Sequence, residues 1–256
     1  EFREWVKTNV GAIRREAEST SSYAKLLQAT TYPLGRKVML NLSFEVGDAS
    51  GLNMINIAAY KACEFIKQSF PIEKYYLRSN LSSDKKPSFF NFINSYGKKV
   101  TADIVLKSAV IKKYLMTRPE DMYDFWYSGL FGSLQAGMVG FNAHYANALA
   151  AVFIATGQDV AQVVNASIGV TTCEMLPGND LYMSVTLPAL IVATVGGGTG
   201  LPYQKKYLET LGCAGSGKVR KFAEILAATA LAGEIGIVAA LASNIFAEGD
   251  IKLRKR

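Results

Sequence analysis

The sequence holds one histidine, His144, in 256 residues, and three cysteines, Cys63, Cys173 and Cys213, far apart from one another. With no CxxC pair and no His/Cys cluster, neither structural zinc nor another bound metal is expected. An odd, scattered set of thiols also argues against a disulfide framework and for a reducing, cytoplasmic setting. There is no internal repeat, no low-complexity linker and no GxGxxG fingerprint. The opening Glu1-Phe2-Arg3-Glu4 is charged and does not read as a secretion signal. One long apolar run exists, Phe222 to Phe246, but it carries Glu224 and Glu234 among clusters of Ala and Gly. A lipid-facing glutamate is costly, so a close-packed core helix of a soluble protein is expected there, with any membrane tether lying outside this stretch.

What is present suits a folded chain of one large or two small domains: 50% hydrophobic residues, 19% charged, 13 Tyr and 13 Phe. The net charge of +7 favours anionic partners such as phosphates, CoA or nucleic acid. Four of those charges, Lys252, Arg254, Lys255 and Arg256, form a terminal run of the ordinary solvated kind, and no nucleic-acid partner is expected.

Periodicity predicts a helix over 9–30, a strand over 37–44 after a break at Gly35-Arg36, a helix over 55–70 and a short strand over 75–78. Beyond these come a strand at 99–106, a helix at 109–115, a helix start at Pro119 and a central apolar helix over 137–155. A strand over 181–195 with a bulge or bend at Pro188, and helices at 203–212 and 218–246, complete the pattern. The order is that of an α+β protein.

Several short motifs carry chemistry. Gly47-Asp48-Ala49-Ser50-Gly51-Leu52-Asn53-Met54 is a glycine turn opening a helix, which can seat a phosphate on free N–H groups, with Asp48 either bonding a ribose or amide or serving as a plain N-cap. Gly196-Gly197-Gly198 follows a strand and suits an anion nest or tight packing. Gly212 to Lys218 matches the first seven P-loop positions, but Val219 stands where Ser or Thr would hold magnesium, and a helix precedes it. Asp84-Lys85-Lys86-Pro87 is either a charged surface loop or a lysine placed against a developing alkoxide. Asp159 closes an apolar helix, where it can cap the next helix or tune a neighbouring lysine. His144 and Asn147, three apart, fall on one face of the predicted central helix, where a satisfied core histidine is the more common outcome.

Taken in order, these motifs resemble the catalytic part of the 3-hydroxy-3-methylglutaryl-CoA (HMG-CoA) reductase family, nearer its eukaryotic-type class. The family's GDAMGMNM corresponds to Gly47–Met54, its DKKP to Asp84–Pro87 and its NAHxAN to Asn142–Asn147. Its GQDxAQ corresponds to Gly157–Gln162 and its GTVGGGT to Ala193–Thr199, with Asp180-Leu181-Tyr182 and Ala232-Gly233-Glu234 also matching. The resemblance implies a small ferredoxin-like NADP-binding domain over 1–78 and part of a larger helical substrate and dimerisation domain over 79–256. It implies NADP(H), and reduction of a thioester to an alcohol at a site completed by a dimer or higher assembly. Carried over by motif, Lys85 stabilises the oxyanion and Asp159 holds it. Asp84, Lys86, His144 and Asn147 line the substrate side. Asp48, Ala49, Gly51, Asn53, Met54, Val195, Gly196, Gly197, Gly198 and Thr199 lie against the dinucleotide.

Departures bear on the chemistry. Arg78 replaces a substrate-contacting serine, Tyr127 a pocket lysine, and Ser50 and Leu52 two methionines. The family's catalytic glutamate, in an ENVIG segment, is expected upstream of residue 1. Its thiolate-protonating histidine is expected after the last Ala-rich helix, where Ser243-Asn244-Ile245-Phe246 stands. The expectation is therefore a divergent NADP(H)-dependent reductase impaired in thioester reduction, acting on a small acyl or carbonyl substrate. The alternatives are a non-redox cyclase or lyase reusing the pocket, and a non-catalytic partner subunit in a heterodimer or tetramer.

Overall fold

The structure, a computed structural model, describes residues 1–243. The chain divides into two compact units, Glu1–Asp84 and the residues from Lys85 onward. The first is built from α1 (Phe2–Glu18), β1 (Lys25–Leu34), β2 (Lys37–Glu45) and α2 (Leu52–Ser69). This α-β-β-α run is the middle of the ferredoxin-like β-α-β-β-α-β order. Val6, Ile13 and Ala17 of α1 meet Ala58, Ala62 and Ile66 of α2 over Leu26 of β1 in a core of their own. The helix predicted over 9–30 starts earlier and stops at Glu18, and residues 25–34 are a strand. Ser19 Oγ donates to Glu16 O and Thr20 Oγ1 to Ala17 O, so hydroxyls satisfy the last carbonyls and end the helix. Leu34 and Lys37 then pair across a two-residue turn at Gly35-Arg36. Residues 75–78 form no strand; the Tyr75 hydroxyl donates instead to Glu64 of α2.

The second unit contains α3 (Phe90–Asn94), β3 (Lys98–Leu106), α4 (Ser108–Val110) with a π-helical turn to Leu115, and α5 (Pro119–Gln135). It continues through α6 (Tyr145–Thr156), a 3-10 turn at Val160–Gln162, α7 (Val163–Ala166), β4 (Val170–Leu176) and β5 (Asp180–Leu190). A 3-10 turn at Gly197–Gly200, α8 (Pro202–Thr210) and α9 (Val219–Ala242) close it. The antiparallel sheet has the order β3-β5-β4, so β5 is central and almost wholly buried. Between Leu187 and Leu190, β5 spends one residue more than β3 does between Val100 and Lys98, which puts a bulge at Pro188-Ala189. β4, absent from the periodicity reading, fills the other edge.

The central helix is shorter than predicted. Residues 137–144 are irregular because Gly137 and Gly140 have positive φ, and a β carbon on Gly140 would press on the Ile168 backbone at 3.0 Å. α9 is long and apolar enough to cross a membrane by length and composition. Here it is a core helix: Phe222, Leu226, Ala230 and Val238 join Leu149 and Phe153 of α6 and Leu181, Met183, Val185 and Leu187 of β5 in one cluster. The stretch 244–246 of the predicted helix, and the basic run ending at Arg256, lie outside the described residues. None of the cysteines is in a disulfide; Cys173 and Cys213 are buried and Cys63 is half-buried.

Candidate active site

Lys85 sits on an irregular turn with its backbone in the left-handed region, φ +58°, a conformation that costs an L-residue about 1–2 kcal/mol. Its Nζ donates to Asp159 Oδ2 at 2.8 Å. The other oxygen of Asp159 accepts from Ala161 N at 3.2 Å and caps the 3-10 turn, so the cap and the lysine partner are the same carboxylate. Buried Asn165 of α7 donates through Nδ2 to Lys86 O at 3.0 Å and fixes the turn from below. Both charges of the pair remain partly open to solvent, at 41% and 34% of their side-chain areas.

The approach of Asp159 is set by the two residues before it. Gly157 ends α6 with φ +71°, and a β carbon there would lie 2.3 Å from Gly198 O. Gln158 is buried and clamps Ala193: its Nε2 donates to Ala193 O at 3.0 Å and its Oε1 accepts from Ala193 N at 2.8 Å. The triple-glycine loop is thus packed against the turn that carries Asp159. Gly198 answers the tight-packing reading. Gly196 and Gly197 have positive φ, and a β carbon added to either would meet nothing within 4 Å, so their backbone is open to approach. Thr199 is buried, with its hydroxyl on Gly196 O at 2.6 Å.

His144 is the N-cap of α6 rather than a residue on its face, and Asn147 lies in the first turn, its N–H on His144 O at 3.2 Å. The loop before it is pinned by Asn142 Nδ2, which donates to Ser167 O and Gly169 O. Glu234 of α9 is 1% exposed and accepts from Ala143 N at 2.8 Å, His144 N at 2.5 Å and Thr171 Oγ1 at 2.7 Å. Burial pushes its carboxyl above the ordinary range, against the pull of those hydrogen bonds.

In the first unit the N-cap of α2 is Gly51, φ +73°, not Asp48, which stands in the preceding turn. A β carbon on Gly51 would strike Val46 at 2.6 Å, so glycine is required twice over. Ala49 N reaches Val46 O across the turn, Asn53 is exposed in the first helical turn, and Met54 Sδ accepts from Ser21 Oγ at 3.2 Å. Arg78 donates to Asp84 Oδ2 at 2.7 Å and to Asn56 Oδ1 at 3.4 Å.

Comparison with known proteins agrees with this order of parts. The sequence profile of the hydroxymethylglutaryl-coenzyme A reductase family matches residues 1–255. The chain belongs to this family. It is 41% identical over 252 residues to the 3-hydroxy-3-methylglutaryl-coenzyme A reductase of Pyrococcus abyssi, covering 95% of this chain and 62% of that protein. The corresponding reductase of Methanothermobacter thermautotrophicus is 40% identical, covering 99% and 64%. Reductase 2 of Dictyostelium discoideum is 36% identical, covering 100% and 51%. The chain therefore spans less than two thirds of the length of these relatives. In fold it is similar to a class II HMG-CoA reductase from Streptococcus pneumoniae solved with NADPH in open conformations: TM-score 0.72, 18% identity, 93% of this chain and 66% of that one.

Two features depart from the HMG-CoA reductase motifs. Tyr127 is exposed on α5, stacked on Tyr123 and edge-on to Phe131 of the same helix. The P-loop-like run is stitched to the strand exit instead, with Gly215 N on Thr194 O and Thr194 Oγ1 on Gly215 O. Asn165 and Thr171 are not singled out by the sequence, which marks Gln158 and Glu234 only as motif matches. Their one sequence signal is a polar residue inside an apolar stretch.

Proposed function

We propose that this chain carries part of an NADP(H)-dependent reductase site of the HMG-CoA reductase type, with Lys85 meeting a substrate carbonyl oxygen and Asp159 holding Lys85. The Lys85–Asp159 pair carries this reading. A partly exposed ion pair contributes about 0–1 kcal/mol, less than the ~1–2 kcal/mol of the left-handed lysine backbone. The pair alone does not offset that backbone cost, which supports a role in presenting an ammonium group. As a carbonyl carbon is reduced its oxygen gains negative charge, which a fixed ammonium stabilises before giving up a proton.

Each glycine segment, taken by itself, fits a dinucleotide. The N-terminus of α2 has no side-chain cap and no acidic residue in its first turn, so its N–H groups suit a phosphate beside Ala49, Asn53 and Met54, with Asp48 accepting from a ribose hydroxyl or an amide. In the second unit, Val195, Gly196 and Gly197 are exposed and offer open backbone. When bound, NADPH supplies the hydride. Lys86, His144, Asn147 and Tyr127 take substrate-side roles by motif position, and Arg78, beside Asp84, suits an anionic group.

Thioester reduction is impaired in this proposal, because Ser243-Asn244-Ile245-Phe246 stands where the family's thiolate-protonating histidine is expected, and losing a general acid costs about 10²–10⁴ in rate. An aldehyde or ketone releases no thiolate and avoids that loss. The test is NADPH fluorescence titration, followed by turnover of HMG-CoA and of the matching aldehyde, by the chain alone and mixed with a longer family member. Binding below about 1 mM, with aldehyde turnover lost in Lys85→Ala at unchanged cofactor affinity, is expected. No binding at that concentration, or turnover surviving Lys85→Ala, overturns the reading.

A further inference from the structure

Two consecutive residues of α9 shape the place of His144. Glu234 gathers three donors on one buried carboxylate: the backbone N–H groups of Ala143 and His144 on Oε1 and the Thr171 hydroxyl on Oε2. Gly233 makes the room, since a β carbon there would lie 2.2 Å from His144 Nδ1 and 2.8 Å from Cε1. The ring therefore lies against the helix backbone, and Nδ1 is buried with no hydrogen-bond partner among the described residues.

The rest of the loop is pinned by other elements. Phe141 N donates to Gly169 O, Thr171 N donates to Phe141 O, and Trp126 Nε1 donates to Thr171 O at 2.8 Å. Thr171 thus links α5, the loop and Glu234. A stray buried N–H is penalised more than a bare ring nitrogen, because orphaned donors are the rarer defect. The described residues around the imidazole offer Nδ1 no partner, which favours leaving that nitrogen bare and the proton on Nε2.

We infer that Glu234 and Gly233 are positioning residues that fix His144 in the Nε2–H tautomer, with Nε2 as the atom left to donate to a substrate oxygen. Neither touches the substrate; both act through His144. The inference rests on the reductase reading only for the identity of that substrate, and its structural part stands without it.

The chain's single histidine makes the test direct. With ¹⁵N-labelled histidine, spectra at alkaline pH, where an imidazole is neutral, give one pair of ring nitrogens. The expected wild-type pattern is a bare Nδ1 and a protonated Nε2. Glu234→Gln keeps an acceptor for both backbone N–H groups and should preserve it, whereas Gly233→Ala should displace the ring and mix the tautomers. Glu234→Leu should do the same if it folds. In turnover, Gly233→Ala should lower kcat about tenfold or more, with KM for NADPH unchanged and Glu234→Gln within about threefold of wild type. A wild-type Nδ1–H tautomer overturns the inference even in an active enzyme, as does a folded Gly233→Ala with unchanged nitrogen shifts. A chain that shows the expected tautomers but no turnover removes the reductase reading and leaves the positioning intact.

Discussion

The backbones of Gly157 and Gly198 are in direct contact: a β carbon on either would come within 2.6 Å of the other's carbonyl oxygen. The triple-glycine loop and the turn bearing Asp159 therefore hold each other in place, backbone against backbone. Gly157→Ala adds that clash to the penalty of φ +71° and should destabilise the fold by ~3 kcal/mol or more. Gly197→Ala, with positive φ but open space, should cost only about 1 kcal/mol. At about 2–4 °C per kcal/mol for a chain of this size, calorimetry separates the two. Equal melting points would show that the contact is not tight.

Gln158 is the second fastening of the same turn. Replacing it with Leu leaves the N–H and C=O of Ala193 unpaired in the interior, a loss of about 2–6 kcal/mol, at about 1–3 per orphaned group. Urea unfolding of Gln158→Leu measures it, and a cost below about 1 kcal/mol would mean the clamp is dispensable.

Lys85 gives a prediction in which stability and activity part company. Lys85→Gly removes the left-handed penalty at φ +58° but adds freedom to the unfolded chain, whereas Lys85→Ala keeps the penalty. Lys85→Gly should be more stable than Lys85→Ala by about 0.5–1 kcal/mol, with both inactive. Denaturant midpoints of the two variants, read beside the turnover assay, check this.

Glu234 supplies a pH dependence with a definite sign. Its folded carboxyl is raised by burial, so the folded state binds that proton more tightly than the unfolded chain does. The associated stability is fully present below the unfolded value of about 4.3 and is lost as pH rises through the folded one. Glu234→Gln lacks this titration, so wild type should lose ground to the variant as pH climbs. Urea midpoints of both proteins from about pH 4 to about pH 8 report it; a constant difference would contradict it.

Local signals make part of this legible. Gly35-Arg36 marks the hairpin turn, Pro119 the start of α5, and Pro188 the bulge in β5, because each acts on its own backbone. The helix expected over 9–30 fails because the apolar spacing runs on past Ser19, where hydroxyls take the carbonyls and pairing with β2 takes the chain. Residues 137–144 read as helix from their composition, but the backbone of Ile168 sets the conformation of Gly140. The pairing of Lys85 with Asp159 is legible only through the motif resemblance, and the geometry sets them 2.8 Å apart. What stays hidden is polar bonding across long separations: Gln158 meets its partner 35 residues away, and Glu234 its partners 90 and 91 residues away.

The thiols have a practical consequence. Burial pushes Cys63 up to about 11 and Cys173 up to about 12, and it raises Cys213 as well. At neutral pH all three are thiols rather than thiolates, and two are shut away from reagents. A cysteine engineered at a solvent-facing position would thus outcompete the native ones for a maleimide dye. Fluorescence from such a single handle could follow ligand binding without first stripping the native sulfur from the chain.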